Sequence, residues 1–374
     1  MVNRTDPKSN APIMMLSAGN GFIMQSVKYS RDNAGQSLKK YILLNQGELA
    51  YNHGASKAKQ FGCCYELTEP EARIPYVYHC FKVSDTEYTP FVAATLNNPK
   101  MDKQLKRLVS SSVRMDGLLN ISFDDYMSVS LHLPSFAEQK KIADFLKKLD
   151  ERITAQEMLM TSLKKYKRGV MQRIFRQTAT QEGEVWTCVR LGDVFKKVSR
   201  RNTNGLVKNV ITNSAEYGLI PQRNFFDKDI AVDGNTANYY IIEKGDFVYN
   251  PRKSNTAPFG PFNRYTLSER GIISPLYTCL VLQADINPSY LAWYFRSDAW
   301  HRYIYDNGSQ GVRHDRVSMT DDLLMGIPVM FPDHTTQQIY ADMLDKVESR
   351  LQAAQKEYEL LVKVKGGYVQ QLFI

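Results

Sequence analysis

Mostly apolar positions recur at alternating spacings of four and three along two long charged segments of the chain. The first series comprises Ile142, Leu146, Leu149, Ile153, Gln156, Met160, Leu163, Lys167, Val170 and Ile174. The second series comprises Tyr340, Leu344, Val347, Leu351, Ala354, Tyr358, Leu361, Lys365, Tyr368 and Leu372. A 3.5-residue spacing sustained in this way predicts a coiled-coil seam. Each helix of about 40 residues would be roughly 60 Å long.

Outside these segments the pattern changes to short runs rich in Val, Ile, Tyr and Phe, separated by Asn, Gly, Pro and Ser. Residues 238–249 and 272–282 are such runs and predict strands, whereas residues 288–306 predict a helix. We therefore expect each globular part to be an α+β domain with a mostly antiparallel sheet.

The chain is an internal repeat. Residues 134–175 align with residues 332–373 without a gap, and 14 of the 42 positions are identical. Upstream, "GFIMQ" at residues 21–25 matches "GLIPQ" at 218–222, and "GELAYN" at 47–52 matches "GDFVYN" at 245–250. The second copy opens with "WTCVRLGDVFKKVS" at residues 186–199, for which the first copy has no equivalent before residue 11. The first domain is thus expected either to lack this opening strand or to receive it from another segment.

Two related units of one chain, each ending in a coiled-coil helix, can bury both seams by packing the helices on each other. Pseudo-two-fold symmetry makes that pair antiparallel and places the globular domains towards opposite ends of a rod. The expected division is residues 1–133, domain 1; 134–176, first helix; 177–331, domain 2 with a linker at 177–185; and 332–374, second helix. Such a rod could serve as a ruler between two DNA half-sites, or merely as a stalk or dimerisation device.

Composition narrows the possible functions. The chain of 374 residues has a formal charge of +9, which favours a polyanionic partner. Its five cysteines form no CxxC pair, so neither a structural zinc site nor a disulfide is expected, and no apolar run is long enough to span a bilayer. Neither a GxxxxGK[ST] loop nor a GxGxxG motif after a strand is present. We expect a cytoplasmic protein without a metal site, and these motifs for a cofactor or a catalytic site are absent from its sequence.

The stretch "LPSFAEQKKIADFLKKLDERI" at residues 133–153, followed by "LKKYKRGVMQRIF" at 163–175, resembles the central helix of the specificity subunit of type I restriction-modification enzymes. "WTCVRLGDVF" and "GDFVYN" are similar to segments of that family's target recognition domains. The second helix departs from the pattern, with Thr336 and Tyr340 where the first has Glu138 and Ile142.

The resemblance implies a non-catalytic subunit with two target recognition domains, each reading one half of a bipartite sequence in double-stranded DNA. The two helices would set the spacer and dock two methyltransferase subunits, and restriction subunits would join through the assembled complex. S-adenosylmethionine would then bind to the methyltransferase subunit, and ATP and Mg to the restriction subunit. Alternative interpretations are a stand-alone or degenerate DNA methyltransferase, or a coiled-coil scaffold without a role on DNA.

Candidate DNA contacts are polar or basic residues at matching places in the two copies. They are Gln25, Asn52, Ser56, Lys57, Lys59 and Arg114 in the first copy, and Gln222, Arg223, Arg252, Lys253, Ser254, Asn255, Gln310, Arg313 and His314 in the second. Any of them could instead be a solvated loop residue, and Arg114 and Arg313 could form loop-stabilising ion pairs with Asp116 and Asp315. The basic face of the first helix is either solvated or follows the phosphates of the spacer.

Overall fold

A computed structural model describes residues 1–28, 35–56, 59–109, 118–176, 186–224, 236–308 and 315–373. The chain forms two compact units: unit 1 is Met1–Met158 with Lys356–Ile374, and unit 2 is Leu159–Gln355. The boundaries between the units fall within the two long helices, so each unit contains a globular part and a portion of both helices. The four-segment division expected from the sequence stays a prediction.

Unit 1 contains short antiparallel strands and small helices ahead of the first long helix. Its strands are β1 (Met14–Ser17), β2 (Gly21–Met24), β3 (Ile42–Asn45), β4 (Leu49–Asn52), β5 (Cys63–Glu66), β6 (Glu71–Ile74) and β7 (His79–Phe81). Its helices are α1 (Gln25–Lys28), α2 (Thr89–Leu96), α3 (Pro99–Leu108), α4 (Phe123–Met127) and the start of α5 (Phe136–Phe175), with a 3-10 helix at Gly35–Lys40. The sheets are β1-β2, β3-β6 and β5-β4-β7.

Unit 2 repeats this plan with additional elements at its start. Its strands are β8 (Thr187–Arg190), β9 (Phe195–Val198), β10 (Ile211–Ser214), β11 (Gly218–Pro221), β12 (Tyr240–Ile242), β13 (Phe247–Tyr249), β14 (Phe262–Arg264), β15 (Gly271–Ile273), β16 (Thr278–Leu282) and β17 (Pro328–Phe331). Its helices are α6 (Leu191–Val194), α7 (Pro288–Arg296), α8 (His301–Asn307), α9 (Asp321–Met325) and most of α10 (His334–Leu372), with a 3-10 helix at Gln222–Asn224. The sheets are β10-β11, β12-β15, β14-β13-β16-β9 and β17-β8. The single helix predicted for residues 288–306 is thus two helices, α7 and α8.

The two long helices run antiparallel within each unit. In unit 1, Arg152 forms an ion pair with Glu357 at 2.9 Å, and Lys365 forms one with Asp150. In unit 2, Lys167 Nζ lies 2.8 Å from Glu348. Lys167 and Lys365, the two charged positions of the predicted seams, therefore place their ammonium groups beside carboxylates while their stems lie along the helix pair.

A buried glutamine fastens each long helix to the globular part of its unit. The Gln139 side chain accepts a hydrogen bond from the Tyr88 backbone N–H at 2.9 Å and donates to the Pro134 carbonyl at 2.9 Å. Gln337 accepts from the Asn287 N–H at 2.8 Å and donates to the Pro332 carbonyl at 2.9 Å. Both glutamines are buried. The identity of these residues in the two copies therefore has a structural cause.

Residues 2–4 provide an equivalent for the end, but only the end, of the opening segment of the second copy. The Val2 N–H donates to the Cys80 carbonyl at 2.8 Å, just as Val198 at the end of β9 lies opposite Cys279. Arg4 then pairs with Glu48 as Arg200 pairs with Asp246. Residues 2–4 thus occupy the place of residues 198–200. Within the described part of unit 1, β8 and α6 have no equivalent.

Candidate nucleic-acid interface

The first pair of candidate loops, residues 52–61 and 250–259, is closed by the same contacts in both units. The Tyr51 hydroxyl donates to the Phe61 carbonyl at 2.6 Å, and the Tyr249 hydroxyl donates to the Phe259 carbonyl at 2.8 Å. Burial raises the pKa of both phenols, so both remain protonated donors. The two loops therefore start and end at equivalent points.

A glycine in the left-handed region ends each of these loops. Gly62 has φ +82° and Gly260 has φ +84°. A Cβ at Gly62 would lie 2.3 Å from the Asn52 carbonyl oxygen, and a Cβ at Gly260 would lie 2.0 Å from that of Asn250. Only glycine fits both the φ value and the close approach of the backbone.

Several predicted contact residues use their polar groups within the loops. The Asn52 side chain accepts from the Gly54 N–H at 2.9 Å, as Asn250 accepts from the Arg252 N–H at 3.0 Å. The Ser56 hydroxyl accepts from the Lys59 N–H at 3.1 Å, and the Ser254 hydroxyl accepts from the Ala257 N–H at 3.1 Å. Asn52, Ser56 and Ser254 thus have a role in loop shape.

The second pair of loops approaches the first in each unit. Lys57, Arg114, Gln310, Arg313 and His314 lie outside the described residues, but the segments that follow the second loops are described. In unit 1 the Leu119 N–H donates to the His53 carbonyl at 2.9 Å. In unit 2 the Lys253 N–H donates to the Asp315 carbonyl at 2.9 Å, and Arg252 forms a backbone bridge with Arg316. Two of the three predicted regions are therefore brought together.

The basic residues of these loops differ between the units. Lys59 in unit 1 is half-buried and donates its ammonium to the Asn97 carbonyl at 2.5 Å, and burial lowers its pKa. In unit 2, Arg252 and Asn255 are exposed and Lys253 is half-buried. Cationic side chains of unit 2 are thus more available to an anionic ligand than that of Lys59.

Sequence reasoning missed two residues of unit 2 beside these loops. The Arg316 guanidinium lies 3.8 Å from the Asp315 carboxylate, and the charges of Arg316 and Arg252 both act on the half-buried Tyr277 phenol. Burial raises the pKa of Tyr277, an effect that these two charges oppose. The signal for Arg316 was its place directly after "VRHD", the repeated motif at residues 312–315.

The third predicted region follows a short hairpin in each unit. The Gln25 N–H donates to the Ile13 carbonyl at 3.0 Å, and the Gln222 N–H donates to the Val210 carbonyl at 2.8 Å, so both follow equivalent hairpins. Gln25 Oε1 is buried and has no hydrogen-bond partner among the described residues, whereas Arg223 is exposed. Where the chain is described, no hydrogen bond joins this turn to the other two loops.

The five cysteines form no disulfide among the described residues. Cys63, Cys64, Cys80 and Cys279 are buried and Cys188 is exposed, all as free thiols. Burial raises the pKa of Cys80 and of Cys279 to about 12. Across the described ranges, no group of three or more His, Cys, Asp or Glu side chains could hold a metal ion, and no helix is long and apolar enough to cross a membrane.

Comparisons by sequence find no matching family model and no matching curated protein. Solved structures do match over the full chain. One, described as the structural basis of complex assembly and conformational transition of the type I R-M system, has a TM-score of 0.54 at 12% identity and covers 100% of this chain and 94% of its own. The type I restriction-modification S subunit from M. genitalium has a TM-score of 0.53 at 12% identity, and the match covers 99% of this chain and 90% of that subunit.

The HsdS subunit from Thermoanaerobacter tengcongensis gives a TM-score of 0.46 at 13% identity, and the match covers 100% of this chain and 93% of that subunit. The matches span both units and both long helices of the chain. The two structures with TM-scores of 0.54 and 0.53 bear out the α+β class with its two long helices, in agreement with the resemblance seen in the sequence. The chain has the fold of the specificity subunits of type I restriction-modification systems.

Proposed function

We propose that the chain is a DNA-binding specificity subunit of a type I restriction-modification system and that each unit reads one half of a bipartite site. The observation that carries this proposal is the repeated loop frame. Both units close a loop of equal length with the same tyrosine, asparagine and glycine contacts. The loop sequences nevertheless differ, with "HGASKAKQ" at residues 53–60 and "PRKSNTAP" at the equivalent residues 251–258. A shared frame with divergent side chains suits two readers of different sequences.

The chemistry of the exposed loop residues supports DNA as the ligand. Arg252 offers a guanidinium that can bind guanine through two hydrogen bonds, and Asn255 offers an amide that can bind adenine in the same way. Neighbouring lysines suit phosphate contacts, which position the protein without reading sequence. A chain charge of +9 adds an attraction that salt weakens.

In this proposal, helices α5 and α10 set the spacer and dock two methyltransferase subunits, and the chain itself carries no catalytic residue. Restriction subunits join through the assembled complex. S-adenosylmethionine belongs to the methyltransferase subunit, and ATP and Mg to the restriction subunit. A structural neighbour taken from work on type I R-M complex assembly supports such partners in general terms.

The test is to map methylated adenines in cells that express the chain with its cognate methyltransferase subunit. We expect a single split motif, of which one half changes when residues 251–258 are exchanged for residues 53–60. An unsplit motif would contradict the proposal. Binding of S-adenosylmethionine by the purified chain alone would favour the methyltransferase alternative, and DNA binding without salt or sequence dependence would favour the scaffold.

A further inference from the structure

In unit 2, the segment of residues 186–194 completes the globular part next to α10. β8 pairs antiparallel with β17, with Arg190 opposite Pro328 and Thr187 opposite Phe331. The Leu191 N–H then donates to the Ile327 carbonyl at 2.8 Å. The side chains of Leu191 and Val194 are almost completely buried in the core. This segment therefore supplies both backbone hydrogen bonds and apolar side chains.

In the part of unit 1 that the structure describes, the segment equivalent to β17 has no such partner. The repeat places residues 129–133 at the position of residues 327–331. Ile327 and Val329 are 0% exposed, but their equivalents Val129 and Leu131 are only half-buried, and Leu133 is 39% exposed. Among the described residues, the backbone N–H and C=O groups of Leu131 and Leu133 make no hydrogen bond. Residues 130–133 thus present an open strand edge.

A groove lies along this edge within unit 1. It has a volume of about 560 Å³, and its lining includes Phe91, Met101, Leu131, Leu133, Leu372 and Phe373. In unit 2, Tyr290 and Tyr294 donate their hydroxyls to the Met330 and Pro328 carbonyls of β17. At the equivalent positions of α2, Phe91 has no hydroxyl, and the Thr95 hydroxyl donates to the Phe91 carbonyl.

Another side chain holds the edge segment in place instead. Gln104 accepts a hydrogen bond from the Ser130 N–H at 3.0 Å and donates one to the Ser130 carbonyl at 3.0 Å. Ser130 is the equivalent of Pro328, so Gln104 replaces the contact that Tyr294 makes in unit 2. Gln104 thus holds the backbone at Ser130, and the adjacent N–H and C=O groups of Leu131 and Leu133 stay available to a strand.

We propose that this groove is an acceptor site for an extended polypeptide segment with the chemistry of residues 186–194, "WTCVRLGDV". The segment pairs antiparallel with residues 130–133 and packs apolar side chains equivalent to Val189, Leu191 and Val194 against the apolar part of unit 1 next to this edge. The occupant follows from the repeat, because the same frame in unit 2 binds this segment at this place. A strand satisfies the free backbone groups, which a compact ligand would leave unpaired.

The test uses a labelled peptide of residues 186–194, with Cys188→Ser, titrated into the full chain and followed by fluorescence anisotropy. We expect saturable binding at one site per chain. Hydrogen exchange should show new protection at residues 128–134 and no change at residues 327–331, where the position is already filled. A peptide with Leu191→Asp and Val194→Asp should bind weaker by roughly tenfold or more, because it loses two buried apolar anchors.

Two chain variants localise the binding. Leu133→Asp places a charge at the open edge, at a side chain exposed enough to leave folding intact, and should abolish binding. Leu206→Asp, at an exposed apolar residue of unit 2, is the matched control and should bind normally. Absence of saturable binding, equal binding of both peptides, or protection at residues 327–331 would overturn the proposal. A chain that dimerises in sedimentation and excludes the peptide would show a second copy in the groove and would also overturn it.

Discussion

The two units attach equivalent hairpins to their sheets by different means. In unit 2, Asn213 of β10 donates to the Val248 carbonyl at 2.9 Å and accepts from Asn263 at 2.7 Å, and both asparagines are buried. In unit 1 the equivalent positions are Leu16, which is buried in an apolar cluster, and Tyr65, whose hydroxyl accepts from the Gly19 N–H at 3.1 Å. The register of both hairpins is nevertheless the same. Backbone pairing and turn geometry therefore preserve the frame while the buried side chains diverge.

The largest expected effect is at the glycines that close the loops. Gly260→Ala and Gly62→Ala combine a positive φ with a Cβ that overlaps a backbone carbonyl, so each should lower the free energy of unfolding of its unit by about 3 kcal/mol or more. Gly245→Ala, with φ +102° and open space around the Cβ, is the matched control and should cost about 1–2 kcal/mol. Urea denaturation measures all three. Equal losses at residues 245 and 260 would contradict the steric part of the explanation.

The paired glutamines should have similar effects in the two units. Gln139→Ala and Gln337→Ala each leave a backbone N–H and a carbonyl without their partner, at a cost of about 1–3 kcal/mol. Hydrogen exchange should show faster exchange in α2 for the first variant and in α7 for the second. Gln352→Ala, at an exposed position of α10 in unit 2, is the control for the second helix and should cost less. Faster exchange in α7 for Gln139→Ala, or in α2 for Gln337→Ala, would contradict the role of each glutamine in its own unit.

The next effect is on DNA affinity, which should depend on the loop of unit 2 more than on Lys59 of unit 1. Arg252→Ala should weaken binding to the cognate site by about 1–3 kcal/mol and relax one half of the motif, because its side chain is exposed at the loop of unit 2. Lys59→Ala should change DNA affinity little, because the Lys59 ammonium already binds the Asn97 carbonyl. Titrations at several salt concentrations check both effects. A larger loss for Lys59→Ala than for Arg252→Ala would reverse this comparison.

The smallest effect is a loss of stability in acid. Burial lowers the pKa of His79 in unit 1 and of His301 in unit 2, so the unfolded chain binds these protons more readily than the folded one. The stabilising contribution is complete above the ordinary histidine pKa of about 6.5 and is lost as the pH falls below it. His79→Gln keeps a donor for the Ile121 carbonyl but cannot titrate, so the Tm difference between pH 7.5 and pH 5.5 should shrink. An unchanged difference would exclude His79 as a contributor.

The sequence predicted the long helices well, because a seam of ten positions leaves little ambiguity about the period. It predicted one helix for residues 288–306, where the structure has two. The chain turns at Ser297 and Trp300, which carry no proline or glycine signal, and the Trp300 indole donates to the Phe295 carbonyl at 3.1 Å. That break depends on tertiary packing of a buried tryptophan, which local pattern does not encode.

The candidate loops were predicted from motifs shared by the two copies, and their adjacency within each unit follows from contacts between those motifs. The shared motifs did not predict which of these side chains are exposed to a ligand. Lys59 is half-buried because its ammonium reaches the end of α2, 38 residues later in the chain. Arg316 was missed although it directly follows the repeated motif at residues 312–315, because the backbone bridge that brings it beside Arg252 is visible only in the structure.

The tyrosine hydroxyl and the glycine that close each loop have a consequence for engineering. Between Asn52 and Phe61, and between Asn250 and Phe259, each copy carries eight residues, and the tyrosine and glycine contacts that close the loop lie outside these eight. In unit 1 the buried His53 ring also bonds the Leu119 and Val77 carbonyls, so His53 belongs to the scaffold. In unit 2, the loop side chains that make no such contact can therefore be exchanged without redesign of the scaffold. A library randomised at residues 252, 253 and 255, with Tyr249, Asn250, Ser254 and Gly260 kept, would vary recognition while the fold stays constant.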